Sequence, residues 1–219
     1  MDKFFDNFYS YAGFGPAIET REVPDSSLKK YKNKLPDQLL SYWQSYGWSG
    51  YANGLFWTVD PEEWQGVLEA WIGDTPLMEK DAYHVIARGA FGELYLWGER
   101  TGASISVLGA WGMIFPSFNE IQFLEDGPDF AMQLFFNSKS RKSMDLEDVD
   151  EKPLFERALK KLGPLTHNTM YGFAPIVAVT GEPRLENIKT VDALVHLELL
   201  AQLTPREIML DINKMVRDS

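Results

Sequence analysis

The sequence predicts an α+β fold: a mixed, largely antiparallel sheet with flanking helices, followed by a smaller helical and stranded C-terminal subdomain packed on it. Three observations carry this expectation. Aromatic and β-branched runs joined by a glycine-bracketed turn read as a hairpin, which pairs strands antiparallel. Segments with helical apolar spacing and recognisable caps flank those runs. The chain has 219 residues, 45% of them hydrophobic and 14% aromatic, enough apolar material for a sizeable core and too much for a disordered chain.

Leu35 to Gly47 reads as a helix with Pro36 near its start, Gly47 at its end and an apolar face of Leu39, Leu40 and Trp43. A second helix is expected from Asp60, as cap, through Pro61, Glu62 and Glu63 to Gly73. Trp64, Val67, Leu68, Trp71 and Ile72 recur along it at helical spacing. Residues 82–88 and 91–97 form the hairpin, with Gly89 and Gly92 bracketing its turn, and 54–59 and 104–108 are further strands. Phe118 to Phe136 reads as a helix split at Gly127-Pro128, burying Phe123, Met132, Leu134 and Phe135.

Ser138 to Ser143, followed by the acids from Asp145 to Glu151, has the composition of a solvated linker. It divides the chain into 1–138 and 139–219. Beyond it, Pro153 to Leu162 is a short helix with lysines in its last turn and Gly163-Pro164 after it. Phe173 to Val179 reads as an edge strand and Val191 to Leu203 as an apolar helix. Thr204-Pro205-Arg206-Glu207 reads as a capping box that starts a last helix, with Ile208, Ile212, Met215 and Val216 on one face.

The composition excludes several chemistries. With no cysteine there is no disulfide scaffold, thiolate nucleophile or cysteine-ligated metal, which fits a reducing compartment. His84, His167 and His196 fall in three separate elements without the paired spacing of a zinc site. Gly13-Phe14-Gly15-Pro16 lacks the lysine and serine or threonine of a phosphate loop and reads as a turn. Asp148 and Asp150 read as solvated flank residues rather than magnesium ligands, and the seven tryptophans as core rather than stacking platforms. No nucleophile elbow or dinucleotide fingerprint is present, and neither a metal nor a cofactor is expected. One cluster stands as an alternative pocket: His84 and Arg88 on one strand face, approached by Glu93, which reads first as a cross-strand ion pair beside a half-buried histidine.

The formal net charge is -11, which opposes direct binding of nucleic acid and favours a basic partner. That charge is uneven: residues 1–138 carry 9 basic and 19 acidic side chains, a net of -10, whereas 139–219 carry 12 and 13, a net of -1. The acids at the N-terminus and the lack of a long apolar run lead us to expect a cytoplasmic chain with no membrane partner. Oligomeric state is not specified by any of these features.

Gly50 to Pro61 and Tyr83 to Gly98, preceded by Phe14-Gly15-Pro16 and the helix from Leu35 to Gly47, resemble the N-terminal GAD-like domain of a bacterial immunity-protein family. Leu154-Phe155 through Gly163, Tyr171 to Pro175 and Val195-His196-Leu197 are similar to the domain usually fused to it. The resemblance implies a non-catalytic protein linked to type VI secretion that binds a cognate DNase toxin and protects the producing cell. It carries over no catalytic residue. Taken with the charge distribution, it makes the loop acids Asp74, Glu79 and Asp81 and the group Glu125, Asp126 and Asp129 candidate toxin contacts. The alternatives are a small-molecule or enzymatic domain using His84, Arg88 and Glu93, and a housekeeping adaptor of the same fold.

Overall fold

The structure, a computed structural model, describes residues 2–118 and 120–211. Its ten strands are β1 (Ile18–Arg21), β2 (Trp48–Tyr51), β3 (Phe56–Thr58), β4 (Tyr83–Gly89), β5 (Glu93–Gly98), β6 (Gly102–Leu108), β7 (Met113–Pro116), β8 (Thr169–Phe173), β9 (Ile188–Asp192) and β10 (Glu207–Ile208), counted among the described residues. β1 to β7 follow one another across one sheet as an antiparallel meander, and β10 joins the free side of β7 in parallel, giving eight strands. β8 and β9 form a separate antiparallel ribbon.

The α-helices among the described residues are α1 (Lys3–Asp6), α2 (Asp25–Tyr31), α3 (Asp37–Tyr46), α4 (Gln65–Ile72), α5 (Glu120–Asn137), α6 (Arg141–Met144), α7 (Phe155–Leu162) and α8 (Ala193–Leu203). They cover both faces of the large sheet. On one face the Tyr95 ring of β5 meets Phe135 of α5, centroids 5.7 Å apart, and α5 packs beside α1 and α3. On the other, α4 packs on β4 and on α8, and the indole N–H of Trp71 donates to the Leu197 carbonyl at 3.1 Å.

Local chemistry explains the elements. Asp2 caps α1 by accepting from the Phe4 and Phe5 N–H groups, and it also accepts from the Tyr42 hydroxyl at 2.6 Å. α3 ends where Gly47 takes φ 65°, a value open to glycine. Gly127, φ 76°, kinks α5 ahead of Pro128, and Asp129 beyond the kink accepts from the Gln38 N–H of α3 at 2.8 Å. One helix thereby caps the start of another. Asp192 caps α8 through the Val195 N–H. The β4–β5 hairpin stands as expected, and its glycines serve the packing too. A Cβ on Gly92 would fall 2.6 Å from the Met170 side chain, and one on Gly89 would fall 2.0 Å from the Glu93 carboxylate.

Several expectations change. Pro61 to Trp64 is a turn, and α4 starts only at Gln65, because Glu62 and Glu63 reach away to Lys30 and Arg21 while Trp64 is buried. The strand assigned to 173–179 is in fact β8, ending at Phe173, and residues 174–181 fold into turns closed by the Gly181 N–H on the Ile176 carbonyl. Leu134 is half-buried, while Phe136 is buried beside Met132 and Phe135. No last helix starts at Thr204: its hydroxyl donates back to the Leu200 carbonyl, closing α8, and Glu207 and Ile208 extend as β10. Ile212, Met215, Val216 and the side chain of Phe123 lie outside the described residues.

Candidate functional site

The six acids expected to meet a partner divide into two groups. Asp81 is buried: its carboxylate accepts from the N–H groups of Ala82, Arg100 and Thr101 and from the Thr101 hydroxyl. Burial pushes its pKa up, and those donors outweigh it, leaving the group below the usual range. Asp81 therefore holds the turn between β5 and β6 against the start of β4. Asp74 forms a bidentate pair with Arg206 at 2.7 Å on both arms, so its charge is matched within the chain. Glu79, Glu125, Asp126 and Asp129 are exposed, the last three flanking the kink of α5.

The alternative cluster of His84, Arg88 and Glu93 is not assembled. Pairing of β4 with β5 shifts between Val85 and Ala87, a bulge that adds one residue to β4. Strict alternation would put His84 and Arg88 on one face, but the extra residue sends them to opposite faces. His84 pairs with Trp97, and its Nε2 lies 2.9 Å from Glu99, against the edge of Tyr31. The expected cross-strand partner of His84 is thus Glu99 in place of Glu93, at hydrogen-bond distance.

Arg88 is fully buried on the other face. Its guanidinium donates to the carbonyls of Gly89, Thr166, His167 and Thr169, at 3.0 to 3.3 Å. It also stacks against Trp57 and Trp64, 4.9 and 5.8 Å from the ring centroids. Burial lowers its pKa to about 9, which leaves it protonated at neutral pH. The Tyr171 N–H donates to the Ala90 carbonyl at 2.8 Å beside it, so Arg88 is the centre of a clamp that holds residues 166–171 to the hairpin. Glu93, also buried, is pushed up to about 7 by desolvation, and its Oε2 has no hydrogen-bond partner among the described residues.

Asp148 and Asp150 do not form a cation site either. Asp148 accepts from the Asp150 and Lys152 N–H groups and from Arg157, which holds its pKa well below the usual range. Among the described residues no group of three or more His, Cys, Asp or Glu side chains is placed to hold a metal ion, and no helix is long and apolar enough to cross a membrane.

Residues 3–110 match the GAD-like domain family, and residues 129–204 match the family described as T6SS immunity protein Tdi1, C-terminal. The chain pairs a GAD-like domain with a Tdi1-type C-terminal domain. No curated protein matches significantly. Among solved structures, the crystal structure of Atu4351 from Agrobacterium tumefaciens aligns with a TM-score of 0.80 at 20% identity, over 95% of this chain and 91% of that one, so the two share a fold.

The Arg88 clamp thus joins the GAD-like domain to the Tdi1-type domain. Sequence alternation missed this role, although an arginine inside the apolar strand Val85 to Gly89 was a signal for it. A second meeting of the two domains lies on the α5 face. There Tyr95 and residues 101–106 of the GAD-like domain face Ala131, Leu134, Phe135, Ser138 and Lys139 of the Tdi1-type domain. Lys139 falls in the segment whose composition reads as a linker, and its serine-flanked setting carries no signal of a packed position. The Tdi1-type domain supports an immunity-protein role for the chain.

Proposed function

We propose that this protein is a cytoplasmic immunity protein that binds and neutralises a cognate nuclease toxin delivered by type VI secretion, and that it catalyses no reaction of its own. The observation that carries the reading is the Tdi1-type domain at residues 129–204. The charge distribution supports a nuclease as partner. A DNA-cleaving toxin concentrates positive charge around its substrate groove, and an anionic surface is steered to that groove and occupies it. The net of -10 over residues 1–138 favours that region, the first unit of the proposed division after Ser138, as the contact. Within it Glu79, Glu125, Asp126 and Asp129 are the exposed candidates, whereas Asp81 is internal and Asp74 is matched by Arg206. The dispersal of His84, Arg88 and Glu93 gives the enzymatic alternative no assembled site.

The test is co-purification with the product of the neighbouring open reading frame, followed by rescue of cells that express that product. The triple variant Glu79→Lys, Glu125→Lys, Asp126→Lys should slow association about tenfold or more at low salt and flatten its salt dependence. Failure of co-purification and rescue would overturn the immunity reading. Unchanged association rates in the triple variant would overturn the electrostatic part alone.

A further inference from the structure

The seam between the two domains on the α5 face holds a cleft that toxin binding by the exposed acids does not use. Its volume is about 380 Å³, within the range of small-molecule sites, and it opens to solvent. Ala131 and Leu134 give it an apolar wall. Its one cation is anomalous. The Lys139 ammonium sits 4.0 Å from the Tyr95 ring centroid and 4.1 Å from that of Phe135. Ring faces attract a cation but accept none of its N–H bonds as a carbonyl or carboxylate would. Among the described residues Lys139 Nζ has neither a hydrogen-bond acceptor nor an ion-pair partner, and burial is the sole influence on its pKa, which falls to about 8. The group stays charged at neutral pH in a setting that supplies no counter-ion.

A second donor stands nearby. Ser106 pairs across the sheet with Tyr95, so both side chains point toward α5, and the Ser106 hydroxyl makes no hydrogen bond among the described residues. The Thr101 and Ser104 hydroxyls that also line the cleft are bonded to each other, and Thr101 donates to Asp81, so neither is free as a donor. The protein's acidic far field is screened within about 8 Å at physiological salt, whereas a contact inside the cleft is not.

We propose that this cleft binds a small organic anion, a carboxylate or phosphate monoester with a compact apolar body, using the Lys139 ammonium as counter-ion and the Ser106 hydroxyl as second donor. The apolar body lies along Ala131 and Leu134, and the anionic oxygens meet Lys139 in front of the two rings. The proposal is independent of toxin binding.

The experiment titrates the full chain, uniformly labelled with ¹⁵N, with benzoate, phenyl phosphate and the uncharged analogue benzyl alcohol. Saturable shifts confined to the amides of Leu96, Ala103, Ser106, Ala131 and Lys139 are expected with one or both anions and not with benzyl alcohol. The anion that binds tighter identifies the natural headgroup chemistry. Lys139→Met should weaken that binding about tenfold or more and Ser106→Ala about threefold, each with the wild-type thermal melt. Absence of saturable shifts with both anions, equal binding of benzyl alcohol, or shifts centred elsewhere overturns the proposal. So does undiminished binding in a folded Lys139→Met protein. The wild-type shift map decides the matter by itself if that variant does not fold.

Discussion

The two domains meet along two seams, on opposite faces of one sheet, and each seam contains a cation set against aromatic rings. At the Arg88 seam four carbonyls and two indoles surround the guanidinium. At the Lys139 seam two phenyl-type rings face the ammonium, no acceptor among the described residues does, and a cleft opens beside it. A guanidinium has five N–H donors in a fixed plane, so it can bind several carbonyls of a turning backbone at once. An ammonium on a flexible stem has no such match to a backbone and keeps its donors for something mobile. One cation is part of the architecture, and the other is held in reserve by it.

That contrast is open to attack in order of expected effect. Arg88→Met should destabilise the protein by on the order of 4 kcal/mol in urea denaturation, because four carbonyls at a buried cation lose their donor. Amide exchange should accelerate first in residues 166–173. A cost below about 1 kcal/mol would mean that the clamp is decorative. Glu93, buried on the Tyr95 face of β5, gives a signed test in pH. Its pKa is raised from 4.5 to about 7 by burial, so the folded state favours the protonated acid. The stability contributed by that acid is present below about pH 4.5 and is lost as pH rises through 7. Glu93→Gln, which cannot ionise, should therefore leave stability nearly unchanged at pH 4.5 and raise it by about 3 kcal/mol at pH 8. A gain independent of pH would show that ionisation is not the cause. The smallest effect is expected at the other seam: Lys139→Met should change stability by less than about 1 kcal/mol, toward greater stability, since it removes a partly buried charge with no acceptor among the described residues. A loss as large as that of Arg88→Met would erase the distinction between the seams.

The hairpin, α3 and α7 were legible because each carries its own punctuation, glycines at the turn and Gly47 and Gly163 at helix ends, and α8 was legible from its apolar run. The site was less legible for three separate physical reasons. A period of two places His84 and Arg88 together only if no residue is added between them, and the bulge adds one. A loop acid looks the same in sequence whether it faces solvent, as Glu79 does, or gathers four internal donors, as Asp81 does. The capping-box pattern at Thr204 to Glu207 was real as a pattern, but the Leu200 carbonyl had the prior claim on the threonine hydroxyl. Short β1, β2 and β7, of four residues each, are below the length at which alternation is readable.

The parallel strand β10 has a consequence for how the molecule is made. β7 is complete at Pro116, but among the described residues its outer edge is covered by Glu207 and Ile208, with Met209 N–H reaching the Ile114 carbonyl. During synthesis the GAD-like sheet therefore waits, with one side unpaired, while the ribosome delivers the whole Tdi1-type domain. An unpaired edge is where another chain would add itself. Translation pauses between β7 and β10 lengthen that exposure, and premature termination there leaves a product predisposed to associate with its own kind.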